Sequence, residues 1–166
     1  MFKYIPKKEA GFTLIELLVS IFIISLISGS MMVSYLAGQK QYDVLRASQE
    51  FSANLRQVQN MAISGKKQGA TVPRGYGLFV ASAGQYQLFY NTNGSLMHDG
   101  SSINFETINL PVNVSLSPTN RTIFFVPPDP TTYINGVNSG SQGFTLTSGS
   151  ASKNVLVYSS GLINID

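Results

Sequence analysis

The strongest constraint on this chain is a run of 23 residues, Leu17 to Gln39, that holds no charged side chain and is built mostly of Leu, Ile, Val, Phe and Met. About 20 such residues in helical form cross a bilayer core, so the run is long enough to span. Immediately before it stands a carboxylate, Glu16, in a stretch that is otherwise apolar. It follows Gly11 by five residues, and a short basic head containing Lys3, Lys7 and Lys8 comes first. The chain must accommodate both the grease and the acid.

The charges give the run a direction. Three of the eleven cations and one of the eight anions fall within residues 1–11. The remainder therefore carries eight cations against seven anions, and its formal charge drops from +3 to +1. Basicity confined to the head argues for membrane orientation rather than for nucleic acid. The positive-inside rule keeps the N terminus cytoplasmic and sends the rest of the chain across. A cleaved secretory signal would have an apolar stretch of roughly 7 to 15 residues and a small-residue cleavage site. The run here is longer, and "SYLAGQ" (Ser34 to Gln39) is a poor site. A plain signal anchor accounts for the run but leaves the position of Glu16 unexplained.

The residues "KKEAG" followed by "FTLIELLVSIFIIS" resemble the prepilin leader and N terminus of type IV pilins and type II secretion pseudopilins: a basic head, Gly11, Phe12, Thr13, and Glu16 as fifth residue after the cut. The resemblance implies cleavage after Gly11 by a membrane aspartyl prepilin peptidase on the cytoplasmic side, N-methylation of the new terminus at Phe12, and retention of the apolar helix. It also implies other pilins or pseudopilins and an inner-membrane assembly platform as partners, with membrane lipid around the stored subunit. One feature departs from the family. Many pilins carry a helix-breaking proline within the apolar run, whereas this chain has none between Pro6 and Pro73, so only Gly29 and Gly38 weaken the helix there.

The physics supplies a reason for Glu16. An ionised group in a membrane helix costs several kcal/mol at the bilayer centre, so such residues are paired or functional. Removal of residues 1–11 would leave a free α-amine on Phe12. Glu16 could neutralise it within its own chain at i, i+4 spacing, or reach the amine of the next subunit and so set the stagger between subunits, which the resemblance favours. Alternatively, Glu16 snorkels to the headgroups. The Thr13 hydroxyl can satisfy one of the N–H groups left unpaired at a helix start, or is simply a tolerated polar residue.

Beyond Gln39 the pattern becomes amphipathic. Val44, Phe51, Leu55, Val58 and Ala62 recur at helical spacing, while Lys40, Asp43, Arg46, Glu50 and Arg56 occupy other faces. A helix is expected from about Phe12 to Ser64, roughly 80 Å long at 1.5 Å per residue. Gly65 with Lys66 and Lys67 forms its stop signal, and its second half should lie on a sheet.

From Tyr76 onward the period changes. The runs Tyr76–Ser82 and Gln85–Asn91, separated by Ala83 and Gly84, predict a hairpin. Further strands are expected at Ile103–Leu110, Asn113–Ser117, Arg121–Val126, Gly143–Ser148 and Lys153–Ser159, with a short one after Gly161. No second helical segment exists to make parallel crossovers, so the sheets should be antiparallel and the class α+β. Residues 127–143, rich in Pro, Gly, Ser and Asn, read as one long loop, either a partner-binding loop or a floppy connection. The strand order resembles the minor pseudopilin domain of the GspH and FimT type, in which a long helix packs on antiparallel sheets. That family often has Arg after the glycine of the last hairpin, where this chain has Leu162 after Gly161.

Little points to chemistry. There is no cysteine, which excludes thiolate metal sites and Cys nucleophiles, and His98, the single histidine, sits beside an Asp-Gly turn signal and reads as a surface turn residue. Carboxylates after the helix (Asp99, Glu106, Asp129, Asp166) lack ligand spacing, and no phosphate-cradling motif occurs. No cofactor, metal or enzymatic activity is expected. Asn93, Asn113 and Asn120 match glycosylation acceptors at the frequency chance allows in an Asn- and Ser-rich chain. Residues 65 to 166 hold five cations against four anions, which disfavours a DNA-uptake minor pilin, because phosphate contact dominates nucleic-acid affinity. The expected organisation is a leader at 1–11, a membrane-spanning or filament-core helix at 12–38, an amphipathic continuation at 39–65, and an extracytoplasmic β-rich domain at 66–166. The expected function is that of a minor pilin or pseudopilin of a type II secretion pseudopilus or type IV pilus.

Overall fold

In the computed structural model, residues 11–129 and 131–166 are described. The leader, apart from Gly11, lies outside them. Among the described residues there are one helix, α1 (Leu14–Ile63), and, after it, nine strands. They are β1 (Gly75–Ser82), β2 (Gln85–Asn91), β3 (Ile103–Asn109), β4 (Ser115–Ser117), β5 (Arg121–Val126), β6 (Thr131–Ile134), β7 (Ser141–Ser148), β8 (Ala151–Tyr158) and β9 (Ile163–Ile165). Two compact units result, residues 1–38 and 39–166.

Within the larger unit every pairing between the described strands is antiparallel, as short connections favour. The strands form two sheets: five strands in the order β3-β2-β1-β5-β6, and four in the order β4-β7-β8-β9. The arrangement is α+β. The stripe read from the sequence is the buried face of α1, with Val44, Phe51, Leu55, Val58 and Ala62 at 1% exposure or less. Phe51 is the keystone of that face. Its ring meets Tyr86 of the first sheet edge-on at 5.1 Å and Phe144 of the second at 5.2 Å. One side chain therefore touches both sheets, and such aromatic pairs add to the area they bury. Tyr86 keeps its hydroxyl satisfied by accepting from Asn54 Nδ2 at 2.8 Å, and burial pushes its phenol above the usual tyrosine range.

The helix ends where Gly65 was expected to end it, and the hydrogen bonds show why. Lys66 N–H reaches back to the Met61 carbonyl (3.1 Å) and Gly65 N–H to that of Ala62 (3.0 Å), with Gly65 at φ +57°. This is the Schellman closure, which needs a left-handed residue at that position. Gln59 Nε2 then donates to the Gly161 carbonyl at 2.9 Å, tying the last turns of α1 to the hairpin that carries β9.

Two expectations require correction. Residues 127–143 are not one loop, since β6 (Thr131–Ile134) forms within them and pairs with β5 through Ile123↔Ile134 and Val126↔Thr131. His98 is not a bare surface turn residue. Its ring stacks on Phe79 at 4.2 Å with a 2° interplanar angle and meets Phe89 edge-on at 5.0 Å. Phe79, Phe89 and Phe124 lie outside the core cluster that contains α1; His98 of the β2–β3 connection packs on Phe79 and Phe89, and Phe124 stacks on Phe89. Asn91 Nδ2 pins that cover by donating to the carbonyls of Ser95 and Met97, and His98 N–H donates to Thr122 Oγ1.

Replacing Phe51 by Ala removes the contact to both sheets. It should lower the unfolding free energy of the larger unit by about 3–5 kcal/mol, measured by denaturant titration of the detergent-solubilised chain. Gly65→Ala forces a β-carbon into left-handed backbone and should cost about 1–2 kcal/mol in the same titration.

Candidate functional site

The candidate site is the start of α1 and the chain just before it. Gly11, Phe12 and Thr13 precede the helix, which begins at Leu14. The Gly11–Phe12 peptide therefore stands outside the helical hydrogen-bond ladder, with Gly11 exposed and Phe12 78% exposed. An exposed peptide bond outside a helix is what a protease needs to bind.

Thr13 occupies the cap position. Its Oγ1 accepts the N–H of Glu16 at 3.3 Å, and its carbonyl accepts the N–H of Leu17 at 3.2 Å. One of the donors orphaned at the helix start is thereby satisfied by a side chain. The Thr-x-x-Glu spacing is that of a capping box, and it places Glu16 in the first turn, where the helix dipole favours negative charge. The Glu16 side chain is exposed, and its carboxylate makes no hydrogen bond or ion pair among the described residues.

From Leu14 to Leu36 the large apolar side chains are exposed on every side of the helix, including Ile15, Leu18, Phe22, Ile24, Leu26 and Met31. Burying such a side chain is worth about 1.5–3 kcal/mol; for this many, the sum is on the order of tens of kcal/mol. Water is excluded as their resting environment. A residue class that sequence reasoning passed over also suits an apolar medium. Ser20 Oγ donates to the Glu16 carbonyl at 2.7 Å and Ser25 Oγ to that of Ile21 at 2.8 Å. Their hydroxyl protons are thus spent within the helix, and the i−4 spacing was the available signal.

Residues 6–32 match the prokaryotic N-terminal methylation motif. The match covers Gly11, Phe12, Thr13 and Glu16 together with the apolar run as far as Met32, and it supports a type IV pilin-like family with processing at the N terminus. Together with the membrane-capable helix it fits membrane anchoring. Comparison with curated proteins and with solved structures gave no match.

Elsewhere, the open groove beside α1 and β9 is lined by Gln49, Ser52, Arg56, Gln57, Asn60 and Ile165 among others, with Arg56 its one charged group. No group of three or more His, Asp or Glu able to hold a metal occurs among the described residues. His98 Nε2 lies 3.1 Å from Asn104 Oδ1, and the Asn104 amide donates on to Gln87. The ring is therefore packed and hydrogen-bonded as part of the cover over Phe79.

In that cover the Ser101 hydroxyl (2.6 Å), with the Ser101 N–H (2.9 Å), holds the Asp99 carboxyl well below the usual carboxylate range. A depressed folded-state pKa stabilises the fold above the ordinary carboxylate pKa of about 3.9 and stops doing so as pH falls through the folded value. Asp99→Asn should therefore loosen the β2–β3 connection at neutral pH, seen as faster amide exchange in residues 93–102. The gap to the unmodified chain should close as pH is lowered below about 4. Thr13→Ala should fray the first turn of α1 by about 1 kcal/mol, read from amide exchange at Glu16 in micelles.

Proposed function

We propose that this chain is a minor pilin or pseudopilin, a structural subunit of a type II secretion pseudopilus or type IV pilus. A prepilin peptidase and N-methyltransferase cuts it after Gly11 and methylates Phe12. Residues 12–38 hold the mature subunit in the inner membrane with its N terminus on the cytoplasmic side. The assembly platform then draws it into a filament, where the apolar helices form the core and the β-rich unit faces outward. Its work is assembly rather than catalysis, and it takes no cofactor.

The observation that carries this reading is the methylation motif at residues 6–32, joined to a helix whose first half exposes large apolar side chains such as Leu18, Phe22, Ile24 and Leu26. Transfer from lipid to a bundle of like helices replaces acyl contacts with side-chain contacts, so extraction need not expose the run to water. Thr13 caps the first turn and so fixes the position of Glu16, whose free carboxylate then meets the amine of a neighbouring Phe12 and sets the stagger. A long helix against two antiparallel sheets suits the GspH and FimT type, while the exposed Leu162 after Gly161 gives that turn no basic group for a partner.

The mass and N-terminal sequence of the protein purified from its cells test this reading. A mature chain of 155 residues beginning at N-methylated Phe12 is expected from cleavage after Gly11 of the 166. A functional chain that retains Met1 to Gly11 would overturn it.

A further inference from the structure

Three connections meet at one end of the larger unit, and strand register places them there. The β1–β2 turn is Ala83–Gly84. Gln85 pairs with Asn109, so the β3–β4 connection, residues 110–114, leaves from the same end. Ser115 pairs with Thr147, which brings the β7–β8 turn, Gly149–Ser150, alongside. Backbone bonds knit the first two together: Leu110 N–H to the Gly84 carbonyl (2.9 Å) and Leu116 N–H to that of Ala83 (2.8 Å).

The composition of these tips is unusual for a surface. Residues 82–84, 110–114 and 148–151 contain no charged side chain. Val112, beside Pro111, is fully exposed at 101%. The nearest acids along the strands are Glu106, opposite Leu88, and Asp166, whose backbone bonds that of Asn154; each stands three residues or more behind a tip. Arg121, opposite Val80, is a cation.

The helix reaches this same end. A β-carbon built on Gly149 would lie 3.3 Å from Lys40 Cδ and 3.4 Å from its Nζ, so the Lys40 side chain runs over the β7–β8 turn. Lys40 is the first charged residue after the uncharged run. Tyr42, 66% exposed, comes two residues later, and Asp43 lies just beyond it. A cation with an apolar stem and an exposed tyrosine are the residues that mark a bilayer interface.

We propose that this end of the β-rich unit is a membrane-docking surface. Before assembly, the three uncharged tips rest on the outer face of the bilayer, with Val112 set into the interfacial layer and Lys40 at the level of the lipid phosphates. The occupant is argued from continuity, since the uncharged run ends one residue before Lys40, and from the three tips, which carry no carboxylate for anionic headgroups to repel; Asp43, one helical turn past Lys40, is the acid that stands behind them. The proposal rests on residues 12–38 being a membrane anchor.

The natural lack of cysteine makes the test clean. Single cysteines at Val112, Ser150, Ser160 and Ile24 are labelled with an environment-sensitive fluorophore in the full chain. The chain is inserted at high lipid excess into phosphatidylethanolamine and phosphatidylglycerol vesicles carrying nitroxides at the headgroup or deep in the acyl chains. Ser160 lies in the β8–β9 turn at the opposite end, and Ile24 lies in the span. The expected result is deep quenching at Ile24 and headgroup quenching at Val112 and Ser150 several-fold above that at Ser160. Deep quenching at Ile24 with Val112 and Ser150 no better quenched than Ser160 would overturn the docking surface while leaving the anchor intact. Absence of quenching at Ile24 would overturn the anchor and the docking surface with it. Shielding of Val112 that disappears as the protein is diluted into lipid would assign the surface to a second copy of the chain and overturn the bilayer assignment.

Discussion

The apolar surface of residues 14–36 is the constraint to which everything else answers. Those side chains surround the helix on all sides, and hydrophobic transfer leaves them two environments, hydrocarbon or one another. Because the two are nearly equivalent in contact energy, moving between them is governed by the few groups that distinguish them. Glu16 is the one ionisable group in that stretch apart from the Tyr35 phenol. In lipid it is tolerable near an interface and costly deeper, whereas beside an amine it is neutralised. An acid at this position would therefore distinguish the two environments under the proposed function, which apolar contact alone does not do.

The larger unit has a core of its own. Its core takes the second half of α1 from Val44 onward, and Phe51 reaches both sheets at once. The Gly65 closure and the Gln59 bond to the Gly161 carbonyl finish the helix against the same unit. Gly38 is the last residue of the smaller unit, and the larger begins at Gln39. A fold so arranged can keep one structure while the helix beyond it changes surroundings.

Much of this was legible because periodicity carries it. The stripe Val44, Phe51, Leu55, Val58, Ala62, the stop at Gly65 and the β1–β2 hairpin each rest on local chemistry, and each appears in place. What stayed hidden depends on contacts distant in sequence. β6 is a four-residue edge strand beside Pro127, Pro128 and Pro130, where prolines mask a strand because only edges tolerate them. The stacking of His98 on Phe79 needs the β2–β3 connection to fold back over a sheet face, which no local pattern announces. Partition into two sheets likewise depends on β5 pairing with β1 rather than with its sequence neighbour β4. At the candidate site, the Thr13 hydroxyl was readable as a cap for the helix start, because that bond is local to the first turn.

Incorporation of Glu16→Gln into filaments, normalised to the amount of processed subunit held in the membrane, probes the central claim most directly. The account predicts normal cleavage and normal membrane levels, because the apolar run and the Thr13 cap are unchanged, together with at least a tenfold loss of incorporation. Incorporation equal to that of the unmodified chain would contradict it and reduce residues 12–38 to a simple tether.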